Sequence, residues 1–141
     1  MNEGVWSGGC QCGAVRYRIA VPAERTTHCH CSMCRKVHGA LFATYSAFPR
    51  DRFVLERGQD ALATYNSSPG VRREFCRHCG SPLFFDYDGG EAIVDVATGT
   101  LDDGAHPGHR REQEAHIFVA SKAGWFTITD DLKQWPKDRD R

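Results

Sequence analysis

The side chains in this sequence with the greatest capacity for chemistry are its cysteines. Seven occur in 141 residues, in three groups: Cys10-x-Cys12, Cys29-x-Cys31-x-x-Cys34 and Cys76-x-x-Cys79. An odd number cannot pair off completely as disulfides, and about 5% cysteine falls below the ~8–10% of a disulfide scaffold. The start, Met1-Asn2-Glu3-Gly4-Val5-Trp6, lacks the basic region and apolar run of a secretory signal. That points to the cytoplasm, where thiols stay reduced. There, clustered cysteines are read first as metal ligands or redox groups. A disulfide or a catalytic thiol pair is the weaker alternative.

Two groups share a local grammar. Cys10-Gln11-Cys12-Gly13 and Cys76-Arg77-His78-Cys79-Gly80 each place glycine directly after the second cysteine and then enter a strand-like run. Glycine permits the tight turn of a zinc knuckle, in which backbone N–H groups point at the thiolates. A knuckle supplies two ligands, whereas a structural zinc takes four. The economical inference is that the two knuckles meet and close one four-thiolate site. Such a metal cross-link contributes folding energy directly. An iron–sulfur cluster is the alternative that ligand type alone leaves open.

The trio Cys29, Cys31 and Cys34 differs, because Arg35 and Lys36 follow it instead of glycine. Three ligands leave a tetrahedral zinc one open position, the mark of catalytic rather than closed sites. A histidine could close it instead, and His28, His30 and His38 are near in sequence. Three thiolates and Zn²⁺ sum to −1, so this zinc is a weak Lewis acid, poorly suited to hydrolysis. It suits a soft fourth ligand, an incoming thiol that binds as thiolate and becomes a positioned nucleophile. Nearby cations then matter, and Arg35, Lys36 and protonated His38 are the candidates; a solvated turn surface is the plainer reading of those three.

The elements that must position these groups are β-type. Val15, Tyr17, Ile19 and Val21 alternate with Arg16 and Arg18, the pattern of a half-buried antiparallel strand. Further strand-like runs are 41–48, 53–55, 61–65, 71–75, 83–87, 92–97 and 117–120, separated by Gly, Pro, Asp and Asn clusters. Packed antiparallel sheets or a small barrel follow. Helix is scarce: Ser32 to Gly39 predicts one short turn, with Ser32 as N-cap and Gly39 as terminator. Leu101 to Ala115 reads as a long surface loop around His106 and His109, and the charged stretch 133–141 as a fraying tail. One domain over 1–141 fits this length, with a core at about 6–132. Phe84, Phe85, Tyr87, Trp125 and Phe126 read as core or interface more than as a substrate wall. His116 reads as a packing or surface residue before a proton carrier at the open zinc. No run is apolar enough to span a bilayer. Eighteen basic residues balance eighteen acidic ones, which disfavours nucleic acid as a partner.

The strings Gly8-Gly9-Cys10-Gln11-Cys12-Gly13-Ala14-Val15-Arg16-Tyr17, Cys29-His30-Cys31-Ser32-Met33-Cys34-Arg35-Lys36, Gly39-Ala40 and Phe75-Cys76-Arg77-His78-Cys79-Gly80-Ser81-Pro82-Leu83 resemble the glutathione-dependent formaldehyde-activating (CENP-V/GFA) family. Gly99-Thr100-Leu101-Asp102-Asp103 and the run from His116 to Trp125 look like its C-terminal motifs. The resemblance spans about Trp6 to Leu132. It implies a mainly β, Mss4-like (β-tent) fold with two zinc ions per chain. It also implies Cys10, Cys12, Cys76 and Cys79 as structural ligands, and Cys29, Cys31 and Cys34 as ligands of a catalytic zinc with an open position. The activity implied is that of a carbon–sulfur lyase, condensing glutathione with formaldehyde. The rival reading is a zinc-stabilised binding module without catalysis, since fold does not dictate function. A methionine sulfoxide reductase reading is weaker, because it needs a free catalytic cysteine and all seven are assigned.

Overall fold

The alternation in the sequence dictates the first sheet. Tyr17, Ile19 and Val21 are buried while Arg18 faces out, so one face of this strand is committed to a core. The structure, a computed structural model, describes residues 4–139. These form β1 (Gly4–Gly9), β2 (Arg16–Val21), β3 (Arg25–Cys29), α1 (Ser32–His38), β4 (Ala43–Pro49), β5 (Phe53–Arg57), β6 (Leu62–Ser68), β7 (Val71–Cys76), β8 (Pro82–Tyr87), β9 (Ile93–Ala97), β10 (Glu114–Ile117) and β11 (Lys133–Gln134). The expected mainly β arrangement of packed sheets is present.

A three-stranded sheet, β1-β2-β5, lies on an eight-stranded one ordered β11-β10-β3-β4-β9-β8-β7-β6. Neighbours run antiparallel except that β10 is parallel to both β3 and β11. The shared core joins Val15, Tyr17 and Ile19 to Phe48, Leu83, Phe84, Val94 and Val96. Burying a side chain of this size contributes roughly 1.5–3 kcal/mol. Tyr17 also keeps its hydroxyl satisfied, 2.6 Å from Thr100 Oγ1. β1 must carry glycine here, because a Cβ on Gly8 would sit 2.4 Å from the Tyr17 ring.

Several expectations change. The helix cap is Cys31, whose sulfur accepts the Cys34 N–H, rather than Ser32; Gly39 does terminate the helix, in the left-handed conformation. The strand expected at 117–120 lies earlier, at Glu114–Ile117, because Phe118 at φ 56° turns the chain. The stretch 101–115 is not wholly a surface loop: Leu101 and Pro107 to His109 are buried. The tail does not fray from residue 133 on, since β11 pairs beside β10; residues 140–141 lie outside the described residues. Trp125 is 80% exposed and so is no core residue. No helix is long and apolar enough to cross a membrane among the described residues.

Candidate metal centres

All seven cysteines are free thiols. Two elements deliver the first group. Cys10 leaves the end of β1 and the chain turns at Gly13 (φ 85°); Cys76 ends β7 and the chain turns at Gly80 (φ 81°). These left-handed positions are the ones the sequence marked with glycine. The turns aim backbone N–H groups at sulfur: Val15 N–H donates to Cys10 Sγ at 3.2 Å and His78 N–H to Cys76 Sγ at 3.4 Å. The Ser81 hydroxyl, 3.2 Å from Cys79 Sγ, pulls that thiol down to about 5. The sulfurs of Cys10, Cys12, Cys76 and Cys79 all lie within 4.8 Å of one another. Four sulfurs about 2.3 Å from one zinc would stand about 3.8 Å apart. Cys10–Cys12 at 3.6 Å and Cys12–Cys76 at 3.8 Å fit that ion.

The second group gathers Cys29 from the end of β3, Cys31 from the cap of α1 and Cys34 from its first turn, again within 4.8 Å. Hydrogen bonds from Cys29 and Cys34, with Arg73 nearby, hold the Cys31 thiol down to about 2, while contacts with Cys31 and Cys34 push Cys29 up. The cation beside these sulfurs is not one of those expected from sequence. Arg73 of β7, only 5% exposed, points its guanidinium at Cys34 Sγ, with nitrogens at 3.6 and 3.7 Å. Ser67 Oγ accepts from its Nε at 3.1 Å, and the Phe85 ring lies 5.1 Å beneath it. A buried guanidinium demands a negative partner. Three thiolates with one zinc would supply −1, which Arg73 would balance. His38 is turned elsewhere, 2.8 Å from Tyr45 Oη.

Among the described residues no histidine joins the trio. Strand alternation explains why: Cys29 faces one side of β3, while His28 and His30 face the other. There His28 Nε2 meets Glu114 at 2.6 Å, and His30 Nε2 meets His116 Nδ1 at 2.8 Å. His116 Nε2 bonds Asp130 at 3.0 Å, so His116 is a packing residue on the face away from the trio. His109, expected in a surface loop, is buried between Thr26 (2.9 Å) and Glu114 (2.8 Å). Burial holds His30 down to about 4.

The trio opens on a cleft of about 400 Å³. Tyr45, Phe85, Tyr87 and Phe118 line it, with Arg25 and Arg73 as its cations. Phe85 and Tyr87 thus do form part of a ligand-sized wall, whereas Phe84 is core, as expected. Sequence reasoning missed Arg73 and Tyr45. The sequence held only a weak signal for Arg73, its alternation with Val71 and Phe75 along β7.

Comparison with known proteins agrees with this geometry. The family model for the glutathione-dependent formaldehyde-activating enzyme matches residues 5–121. A Halomonas elongata protein, named for glutathione-dependent formaldehyde activation, is 32% identical over 130 residues, covering 86% of this chain and 79% of that protein. A Schizosaccharomyces pombe protein named as an uncharacterized lyase is 29% identical over 86 residues, 61% of each chain. The crystal structure of a Rhodobacter sphaeroides protein shares the fold, with a TM-score of 0.59 at 24% identity, over 69% of this chain and 88% of the other. The matched stretch contains both thiol groups and Arg73, and on that match the chain belongs to the glutathione-dependent formaldehyde-activating enzyme family.

Proposed function

We propose that this protein is a two-zinc carbon–sulfur lyase that adds a small glutathione-like thiol reversibly to a small aldehyde such as formaldehyde. Cys10, Cys12, Cys76 and Cys79 hold the structural ion, and Cys29, Cys31 and Cys34 hold the other. When bound there, zinc supplies a soft open coordination position that favours the thiolate form of an incoming thiol. The rest is done by the chain. Arg73, already in place at Cys34, limits the site to −1 instead of −2 once the thiolate has arrived. Phe85, Tyr87 and Phe118 keep water from competing with the thiol for the aldehyde.

The substrate sulfur forms a bond to the carbonyl carbon, and the C=O π electrons move onto oxygen. Tyr45 holds the proton for that oxygen at Oη. Burial pushes this phenol above its usual range, so it stays protonated. His38, kept neutral by burial, takes up the proton the thiol releases and, with Nε2 2.8 Å behind the phenol, returns it to Tyr45. The thiol's lost proton balances the one the alkoxide gains, and a hemithioacetal results with no redox change.

The observation that carries this reading is the three-thiol group open to a cleft and balanced by a buried arginine. The test is Cys31→Ser. It is expected to lower zinc from two ions per chain to one and abolish condensation followed by NMR, with the circular dichroism spectrum intact. Full activity with a single zinc would overturn the assignment.

A further inference from the structure

The C-terminal segment lies beyond the residues the family model matches, 5–121, yet it is built into the cleft. Trp135 N–H donates to His116 C=O at 2.9 Å, and Phe118 and Val119 N–H donate to Lys137 and Trp135 C=O at 2.9 and 3.1 Å. Trp135 packs on the cluster of Cys29, Cys34 and Ile117, beneath the trio. Arg139 Nη1 donates to Thr27 Oγ1 at 2.8 Å and Nη2 to Gln113 C=O at 3.2 Å. The segment is thereby tied to β3 and β10, and it brings Asp138 to the cleft wall.

Along β3 the cleft is lined by Arg25, Thr27 and Cys29, the alternate residues of one face. Four residues of strand separate Arg25 from Cys29 by about 13 Å. A free amino acid with a thiol spans about one residue length, roughly 3.6 Å of that distance. An extended chain of three residues spans roughly 10 Å, and the long arginine side chain covers the remainder. Arg73 spends its guanidinium on Cys34, Ser67 and the Phe85 ring. By contrast, no hydrogen bond or ion pair engages the Arg25 guanidinium among the described residues. The cleft therefore has a sulfur site at one end and an available cation at the other, with an acidic wall beside them.

Resting on the reading of the trio as a thiol site, we propose that Arg25 is the specificity-determining residue that takes a carboxylate of a short peptide thiol. The segment Trp135–Arg139 is the wall that holds that thiol against β3, with Asp138 facing its ammonium group. A charged hydrogen bond of this kind is worth about 1.5–3 kcal/mol, or roughly a tenfold to hundredfold change in affinity. Arg139 is a positioning residue, acting through Thr27.

The test titrates zinc-loaded protein with S-methylglutathione, which cannot become a thiolate, and with its diethyl ester, by calorimetry. Wild type is expected to prefer the free acid. Arg25→Gln is expected to weaken the free acid at least tenfold and the ester less than twofold, and Arg25→Lys to restore part of the preference. Arg139→Ala should lower the acid-to-ester ratio by a smaller factor, a readout that loss of packing alone would not move. Equal weakening of both ligands, an unchanged Arg25→Gln, or no binding to wild type would each overturn the proposal. Turnover of glutathione and formaldehyde, followed separately by NMR, distinguishes the two readings. Charge-selective binding without turnover removes the enzyme and keeps the carboxylate site, while turnover indifferent to Arg25 does the reverse.

Discussion

The two thiol groups handle negative charge in opposite ways. Around Cys10, Cys12, Cys76 and Cys79 the compensation is made of neutral donors: the Val15 and His78 N–H groups and the Ser81 hydroxyl. Around Cys29, Cys31 and Cys34 a full positive charge, Arg73, is buried against the sulfur. Dipoles fixed by turns suit a permanent, closed site. A whole charge held at the rim of a cleft suits a site whose own charge changes when a ligand enters. The role of a cysteine group is thus set by its surroundings as much as by its ligand number.

The largest expected effect tests the closed side of this contrast. Cys79→Ser should leave the chain unable to fold, because structural zinc supplies about 10–16 kcal/mol in small metal-dependent domains. Solubility on expression and the circular dichroism spectrum measure it; a folded variant with one zinc would erase the distinction between the two groups. Next is the charge itself. Arg73→Met should lower zinc occupancy from two towards one and destabilise the protein by about 3–5 kcal/mol, the cost of breaking a buried pair. Full occupancy, by metal analysis, would show that the arginine does not compensate the trio.

The smallest effect lies on the reverse face of β3, which has no counterpart at the closed site. His30 is held down to about 4 against an ordinary value near ~6.5. Between those values the unfolded chain binds the proton and the folded one does not, so stability falls as pH drops from about 6.5 to about 4. A melting series for wild type and His30→Gln should show the shallower acid slope in the variant. Identical slopes would remove this histidine from the acid response.

The thiol groups were legible because their chemistry is written locally: spacing gives the ligands, and Gly13 and Gly80 give the turns. Arg73 was not, because alternation alone barely separates it from Arg72, and the pairing of β7 with its neighbours is what buries it. Likewise β3, Arg25–Cys29, is polar enough to read as a connection. Its Thr26 and Thr27 are buried because Thr26 bonds Ser46 and His109 across the sheet, while Thr27 receives Arg139. The two-residue β11 is too short to carry a periodic signal. It exists because β10 offers it an edge.

β7 reaches both thiol groups, placing Arg73 at Cys34 and Cys76 in the closed set, with a register shift between Glu74 and Phe75. Those three steps of chain act as a gauge block between the two thiol groups. A residue inserted or lost between 73 and 76 would misplace one end whichever end stayed put. The Ser68-to-Gly70 turn just before the strand is under no such constraint. Length variation is therefore expected to be admitted at the hairpin and refused inside the strand.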